Sequence, residues 1–308
     1  MDFHPQAAAF LHRGSFGEIF APSAAAFEIP FSVRSMRELR YSRSTKDRNL
    51  MTAINPIVEG GPIAEEGPIA EAEALNDRLA GLDLAGRLSL VSGLGGRVVF
   101  TTSLGIEDQV ITAEIGTHRL PIDIATLQTG RLFAETLSLI EETESQYDIH
   151  IHRFEPEKAD IDAYAAQYGL NGFYESVEAR HACCGVRKLK PLARALEGAA
   201  IWITGLRRGQ SANRAETPFA EYDAERHLLK VNPLADWDLE AIKAFVSANG
   251  VPVNPLHQRG YPSIGCEPCT RAIKPGEPER AGRWWWEQDE TRECGLHVAE
   301  EAAAIAAQ

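Results

Sequence analysis

No apolar run in this 308-residue chain approaches the ~18–20 residues of a bilayer-spanning helix, which excludes an integral helical membrane protein. Cysteine is scarce and odd in number: five residues in 308 cannot build a disulfide scaffold. A basic excess is also missing. The net charge of −13 excludes a general nucleic-acid binder, which needs a net basic footprint. In the first fifty residues the longest apolar run is Ala7 to Leu11, shorter than the ~7–15-residue core of a secretory signal. With neither span nor signal, a cytoplasmic location is expected. The length allows one large domain or two modest ones, with a core that needs no disulfides.

What positive charge there is lies in particular places. Residues 1–50 carry seven Lys/Arg against five Asp/Glu, so the rest of the chain is −15. The Arg/Ser-rich stretch from Ser32 to Arg48 faintly resembles a transit peptide, but Glu38 and Asp47 weaken that reading. We take residues 1–71 as an N-terminal extension, disordered or partly not native, with Met51 as the working start. A doubled Gly-Pro-Ile-Ala-Glu at 61–65 and 67–71 reads as a linker, since two copies cannot make a solenoid. From Arg180 to Arg214 there are eight Lys/Arg and a single acid, Glu197, a local concentration suited to an anionic ligand.

From Glu73 the chain alternates. Leu75, Leu79, Leu82 and Leu90 suit one helix face, interrupted by Gly81 and Gly86. The segments 97–102, 122–127, 149–154 and 200–204 read as strands. Helices are expected through Ile111 and Ile115, from Leu132 to about Gln146, over 161–168 and over 239–248. Strands of this length alternating with helices predict an α/β fold, a parallel twisted sheet with helices on both faces. In such a sheet the ligand sits beyond the carboxyl ends of the strands.

Three turns fall there. In 103–108, Ser103 supplies a hydroxyl, Gly105 permits close backbone approach, and the helix start directs N–H groups at an anion. In 128–131, Gly130 allows tight approach and Arg131 brings a guanidinium for phosphate or ribose. In 205–211, Arg207 and Arg208 are adjacent, which is costly if both are buried without an anion between them. The Gly-rich 92–96 precedes its strand and is a plain helix-to-strand turn. His150 and His152 share a strand face and read as surface or packing residues.

Cys183-Cys184 and Cys266-Glu-Pro-Cys269 form two thiol pairs, better read as a metal site than as two disulfides. Four thiolates suit zinc or an iron–sulfur cluster, and the adjacent pair favours iron–sulfur. Cys294 is left over. Flanked by Gly295 and close to His297 in a segment rich in Gly, Pro and charge, it is a candidate nucleophile.

Several motifs together resemble the assimilatory adenylyl-sulfate reductases, within the family of phosphoadenylyl- and adenylyl-sulfate reductases. They are Cys183-Cys184-Gly-Val-Arg187-Lys188, Cys266-x-x-Cys269-Thr-Arg271, Arg280-Ala-Gly-Arg283-Trp-Trp-Trp-Glu, Arg292-Glu-Cys294-Gly-Leu-His297 and the three turns. The resemblance covers roughly residues 75–298. Gln128 departs from it, standing where the family usually has Asp. It implies an ATP-pyrophosphatase-like (adenine nucleotide alpha hydrolase-like) fold over 72–273, followed by a mobile tail over 274–308. It implies a [4Fe–4S] cluster on Cys183, Cys184, Cys266 and Cys269. The implied reaction converts adenosine 5′-phosphosulfate to sulfite and AMP, with Cys294 attacking sulfur to leave an S-sulfonate. Lys188, Arg207, Arg280 and Arg283 would then position the phosphosulfate, with Ser103 and Gly105 in the phosphate turn. Lys188 and His297 join Cys294 as catalytic candidates, and Gly130, Arg131 and Arg208 join the substrate set.

One remaining thiol cannot both form the adduct and release sulfite. The second thiol must come from an external dithiol, thioredoxin or glutaredoxin, since this chain stops fourteen residues after Cys294. No nucleic-acid or membrane partner is expected, and a homo-oligomer stays open. Three rival readings remain. One is a phosphoadenylyl-sulfate reductase, whose members generally lack the paired cysteines. Another is an RNA-thiolating ATP-pyrophosphatase, which wants a Ser-Gly-Gly-x-Asp-Ser turn. The third is a zinc protein that binds nucleotide as a regulator.

Overall fold

The computed structural model describes residues 66–287. Its helices are α1 (Glu66–Ala80), α2 (Leu84–Ser92), α3 (Ile106–His118), α4 (Ala134–Tyr147), α5 (Lys158–Tyr168), α6 (Val177–Cys184), α7 (Lys190–Ala195) and α8 (Leu239–Asn249). Its strands are β1 (Arg97–Thr102), β2 (Asp123–Leu127), β3 (Ile151–Phe154), β4 (Ala199–Ile203), β5 (Ala220–Asp223) and β6 (Leu228–Val231). They form one sheet in the order β3-β2-β1-β4-β6-β5. Every neighbouring pair is parallel except β5 and β6.

Alternation along the strands builds a core on each face of the sheet. Val98 and Phe100 of β1 and Ile201 and Ile203 of β4 enter the larger core, against α1 to α4 and α8. Val99 and Trp202 point the other way, onto Leu192, Ala195 and Leu196 of and after α7. Burial on both faces is why these runs are continuously apolar, and it makes the strands the most legible part of the chain. Among the described residues, no helix is long and apolar enough to cross a membrane.

Four local readings change. The linker expectation ends early, because α1 begins at Glu66 and contains the second Gly-Pro-Ile-Ala-Glu copy. Pro68 falls in the first turn, where its missing N–H breaks no helical bond, and buried Ala72, Leu75 and Leu79 hold the helix down. The single helix through Leu90 is two helices, since Asp83 caps α2 by accepting from the Gly86 N–H at 2.8 Å. An unforeseen antiparallel hairpin, β5–β6, closes one edge. There the Asn76 side chain pairs with both the carbonyl and the N–H of Ala220, at 2.5 and 3.0 Å, covering the strand edge.

The fourth change concerns the segment read as a mobile tail. Its described part, 274–287, folds back on 266–271. The Arg271 N–H donates to the Gly282 carbonyl at 3.0 Å and the Trp284 N–H to the Cys269 carbonyl at 3.2 Å. Trp284 is 1% exposed, and full burial of so large a ring contributes about 3 kcal/mol. Arg180 then grips Glu287 through two buried hydrogen bonds of 2.7 and 3.0 Å.

Candidate functional site

Strand β1 has β2 on one side and β4 on the other, so the chain reverses its direction of winding between β1 and β4. A crevice opens at the carboxyl ends of two such strands, flanked by the turns 103–105 and 204–207. The structure has a cavity of about 200 Å³ there. Ser103, Gly105, Lys188, Arg280 and Arg283 line it, so five of the sequence-derived site residues meet in one place.

The first turn does not have the electrostatics expected of it. The Ser103 N–H and hydroxyl both donate to Asp108 Oδ2, each at 2.6 Å. A carboxylate of the chain itself therefore occupies the donors that the sequence pattern offered to a phosphate. Burial pushes the Asp108 pKa up to about 6, against the lowering effect of the Ser103 bonds; nearby Glu107 raises it and Arg214 lowers it. Gly205 is required here, because a Cβ on it would overlap Asp108 Oδ1.

Arg207 and Arg208 do not form the expected anion clamp. Arg207 is 2% exposed and held between two carboxylates, with Nε donating to Glu107 at 2.7 Å and Nη2 to Glu279 at 3.0 and 3.1 Å. Burial opposes its charge, but the two glutamates outweigh burial and raise its pKa. Arg208 turns outward, donating to the Thr217 carbonyl at 2.9 Å and covering the Phe219 ring. Consecutive residues leave a strand end in different directions, so adjacency in sequence did not mean a shared target. The arginine from this stretch that lines the cavity is Arg214, held by the Gln210 side-chain carbonyl at 2.6 Å. It was visible in the sequence only as one member of the basic run.

The 128–131 turn also serves a different purpose. Gly130 has φ +71°. Arg131 reaches the Asn171 side chain at 3.2 Å and the Leu170 carbonyl at 3.0 Å, away from the crevice. The Arg131 carbonyl accepts from the Glu267 N–H at 2.8 Å, and the Thr129 hydroxyl lies 3.3 Å from Cys266 Sγ. This turn holds the second cysteine segment in place. Neither Gly130 nor Arg131 lines the crevice, whereas Thr129 and Leu132 do.

Cys183, Cys184, Cys266 and Cys269 all line a second, small cavity, with Arg131, Arg180, Arg187 and Lys188 around it. The two thiol pairs of the sequence thus meet. Among the described residues, no group of three or more His, Cys, Asp or Glu side chains is gathered as for a single metal ion. Burial pushes the Cys183 thiol up and the Cys269 thiol up to about 12, so both are neutral unless a metal displaces their protons. The donor set is all sulfur and the surround is cationic, which fits an anionic thiolate-ligated iron–sulfur group. Lys188 and Cys266 line both cavities and so form their common wall. Cys294 and His297 lie outside the described residues. His150 and His152 are exposed and stacked edge to face at 4.7 Å, as surface residues.

Cations in a switch-point crevice, backed by four thiols, are the equipment of a redox enzyme acting on an anionic nucleotide. Residues 97–272 match the phosphoadenosine phosphosulfate reductase domain. The chain belongs to that family and, with it, is an oxidoreductase. It is 78% identical over 234 residues to an adenosine 5′-phosphosulfate reductase of Sinorhizobium fredii (strain USDA 257), covering 76% of this chain and 93% of that one. It is 59% identical over 203 residues to an adenosine 5′-phosphosulfate reductase of Allochromatium vinosum, covering 66% and 79%. Among solved structures it resembles phosphoadenylyl-sulfate (PAPS) reductase from Candida auris in a phosphate complex, with TM-score 0.58, 25% identity, and coverage of 66% of this chain and 97% of that one. The α/β architecture expected from the sequence, a mainly parallel sheet with helices on both faces, is the observed one and is shared with that PAPS reductase.

Proposed function

We propose that this protein reduces adenosine 5′-phosphosulfate to sulfite and AMP in sulfate assimilation, using thioredoxin or glutaredoxin as an external dithiol and supplying sulfite for cysteine biosynthesis. The observation that carries the reading is the wall shared by the two cavities, where Lys188 and Cys266 line both the crevice and the smaller cavity in which the four thiols meet. Lys188, Arg214, Arg280 and Arg283 bring positive charge to the crevice, where it attracts the phosphosulfate and stabilises charge on the departing phosphate. The Cys294 thiolate attacks the sulfur, the bond from sulfur to the bridging oxygen breaks, and AMP leaves with the electron pair. One thiol of the external dithiol then attacks Cys294 Sγ and expels sulfite. The second thiol resolves the mixed disulfide, so the dithiol supplies both electrons. Held by Cys183, Cys184, Cys266 and Cys269, a [4Fe–4S] cluster would supply a fixed electrostatic and structural centre beside Lys188.

The test is single turnover without reductant. Wild-type protein releases about one AMP per site and stops, with a sulfonate on Cys294 by mass spectrometry. Cys294→Ser binds nucleotide but releases no sulfite. Sustained turnover by that variant, or an adduct on one of the other four cysteines, refutes the assignment.

A further inference from the structure

Resting on the iron–sulfur reading above, we infer that Tyr164 is a positioning residue for the thiolate-bound group: its buried hydroxyl donates to Cys183 Sγ once iron has displaced the thiol proton.

Helix α5 presents one stripe to the run of α6 and α7. Asp160, Tyr164 and Tyr168 recur every four residues and so share a face of α5. At one end of the stripe the Lys190 ammonium donates to Asp160 Oδ1 at 2.6 Å. At the other end the Tyr168 hydroxyl donates to Glu178 Oε1 at 2.9 Å. Tyr164 stands halfway between these two bonds on α5, and the Cys183–Cys184 pair stands halfway between Glu178 and Lys190 on the facing run. At 1.5 Å per residue, Tyr168 and Tyr164 are about 6 Å apart along α5, and Glu178 and Cys183 about 7.5 Å apart along α6. The two spacings bring the Tyr164 hydroxyl to the cysteine pair. Gly172 leaves room for it, since a Cβ there would come within 3.4 Å of the hydroxyl oxygen and 2.7 Å of Tyr168 Cβ.

The hydroxyl that arrives there is an orphan. Tyr164 is 5% exposed, and its oxygen is buried with no hydrogen-bond partner among the described residues. The polar groups acting on it are the Cys183 sulfur and the Phe173 backbone, with Arg187 acting through its charge. A buried O–H without an acceptor costs free energy that a phenylalanine ring in its place would not. A neutral thiol accepts weakly, whereas a thiolate is charged and accepts strongly. Metal binding requires the thiolate, so the loaded site supplies the acceptor that the hydroxyl lacks. The other cysteine pair has a similar arrangement, with the Thr129 hydroxyl 3.3 Å from Cys266 Sγ. Partners of this kind orient metal ligands and tune the metal.

The test compares full-length wild type, Tyr164→Phe and Tyr168→Phe, purified without oxygen with their iron bound and checked for fold by circular dichroism. Two properties are read: the rate of iron loss to a chelator, and the iron–sulfur stretching bands by resonance Raman in H2O and D2O. Tyr164→Phe is expected to lose iron about tenfold faster, the lower end of what an outer partner is worth to a metal site. Its bands should also lose part of the shift that D2O produces in wild type, because one exchangeable donor to sulfur is gone. Tyr168→Phe should match wild type in both. Unchanged iron loss and an unchanged D2O shift in Tyr164→Phe overturn the inference and leave the iron–sulfur reading standing. Equal effects in Tyr168→Phe, or a Tyr164→Phe chain that does not fold, also overturn it, assigning Tyr164 to packing. Wild-type protein without iron overturns the iron–sulfur reading itself.

Discussion

Replacing Arg207 by Met tests the reassignment of this residue from substrate ligand to buried strut. The guanidinium is 2% exposed and serves carboxylates from two distant parts of the chain, Glu107 at the start of α3 and Glu279 in the returning segment. Their side chains are only 11% and 23% exposed. Removing one partner of a buried ion pair typically costs about 3–5 kcal/mol, because a desolvated charge is left unpaired. Gln210 still donates to Glu107 at 3.1 Å, which places the expectation at the low end, about 3 kcal/mol. In a domain of this size that is about 6–12 °C in Tm. The loss has a signature in pH. Burial already holds the Glu279 pKa above the usual range, with Arg207 pulling it down, so the variant raises it further. A carboxylate whose folded pKa exceeds its unfolded value is easiest to fold when protonated, and it loses stability as pH rises through that interval. The deficit relative to wild type should therefore be largest near pH 8 and shrink toward pH 5. Urea denaturation at both pH values measures it. A deficit below about 1 kcal/mol, or one equal at both pH values, would show that Arg207 is not holding two charged glutamates.

Asp108→Asn should stabilise the fold above pH 6. A shift from 3.8 to about 6 corresponds to up to about 3 kcal/mol, fully expressed at pH 8 and absent near pH 4, as denaturation at the two pH values would reveal. Gly205→Ala should destabilise by about 1–3 kcal/mol through overlap with Asp108, and the double variant Gly205→Ala/Asp108→Ala should recover most of that loss. Cys266→Ser should abolish the visible absorbance of thiolate-bound iron; retention of full iron and colour would remove Cys266 from the ligand set.

The parallel strands could be read from the chain because burial on both faces writes them as unbroken apolar runs. Hairpin β5–β6 could not, since Glu221, Asp223 and Lys230 interrupt it and its edge is satisfied by Asn76, 144 residues away in sequence. Ser103, Gly105, Lys188, Arg280 and Arg283 stand out in the sequence as candidates, and all five line the crevice. What the residue types concealed was which anion each donor would meet. Asp108 lies one helical turn beyond Ser103 and comes back to it, and Glu107 and Glu279 capture Arg207 across 100 and 72 positions. Competition between internal carboxylates and a ligand for the same donors is a tertiary matter, and no local pattern carries it.

The segment bearing the first cysteine pair shows how one residue can set a site's geometry. Helices α6 and α7 are joined without a break by Gly185–Leu189, which is wound as a π-helix, with the Lys190 N–H donating to the Gly185 carbonyl five residues back. Pro191 comes next in the chain. It has no N–H to offer, and its ring would collide with the carbonyl four residues earlier, so a regular helix is unfavourable here. A wide turn relieves that conflict by taking one extra residue into the ladder. The extra residue rotates α7 by about 100° relative to α6. Around this turn, Cys183 and Cys184 line the thiol cavity, Lys188 reaches the wall between the two cavities, and Leu192 and Ala195 pack on the sheet. The π-turn thus carries Lys188, which lines both cavities, and Pro191, which lines neither, disfavours the regular helix that would replace it.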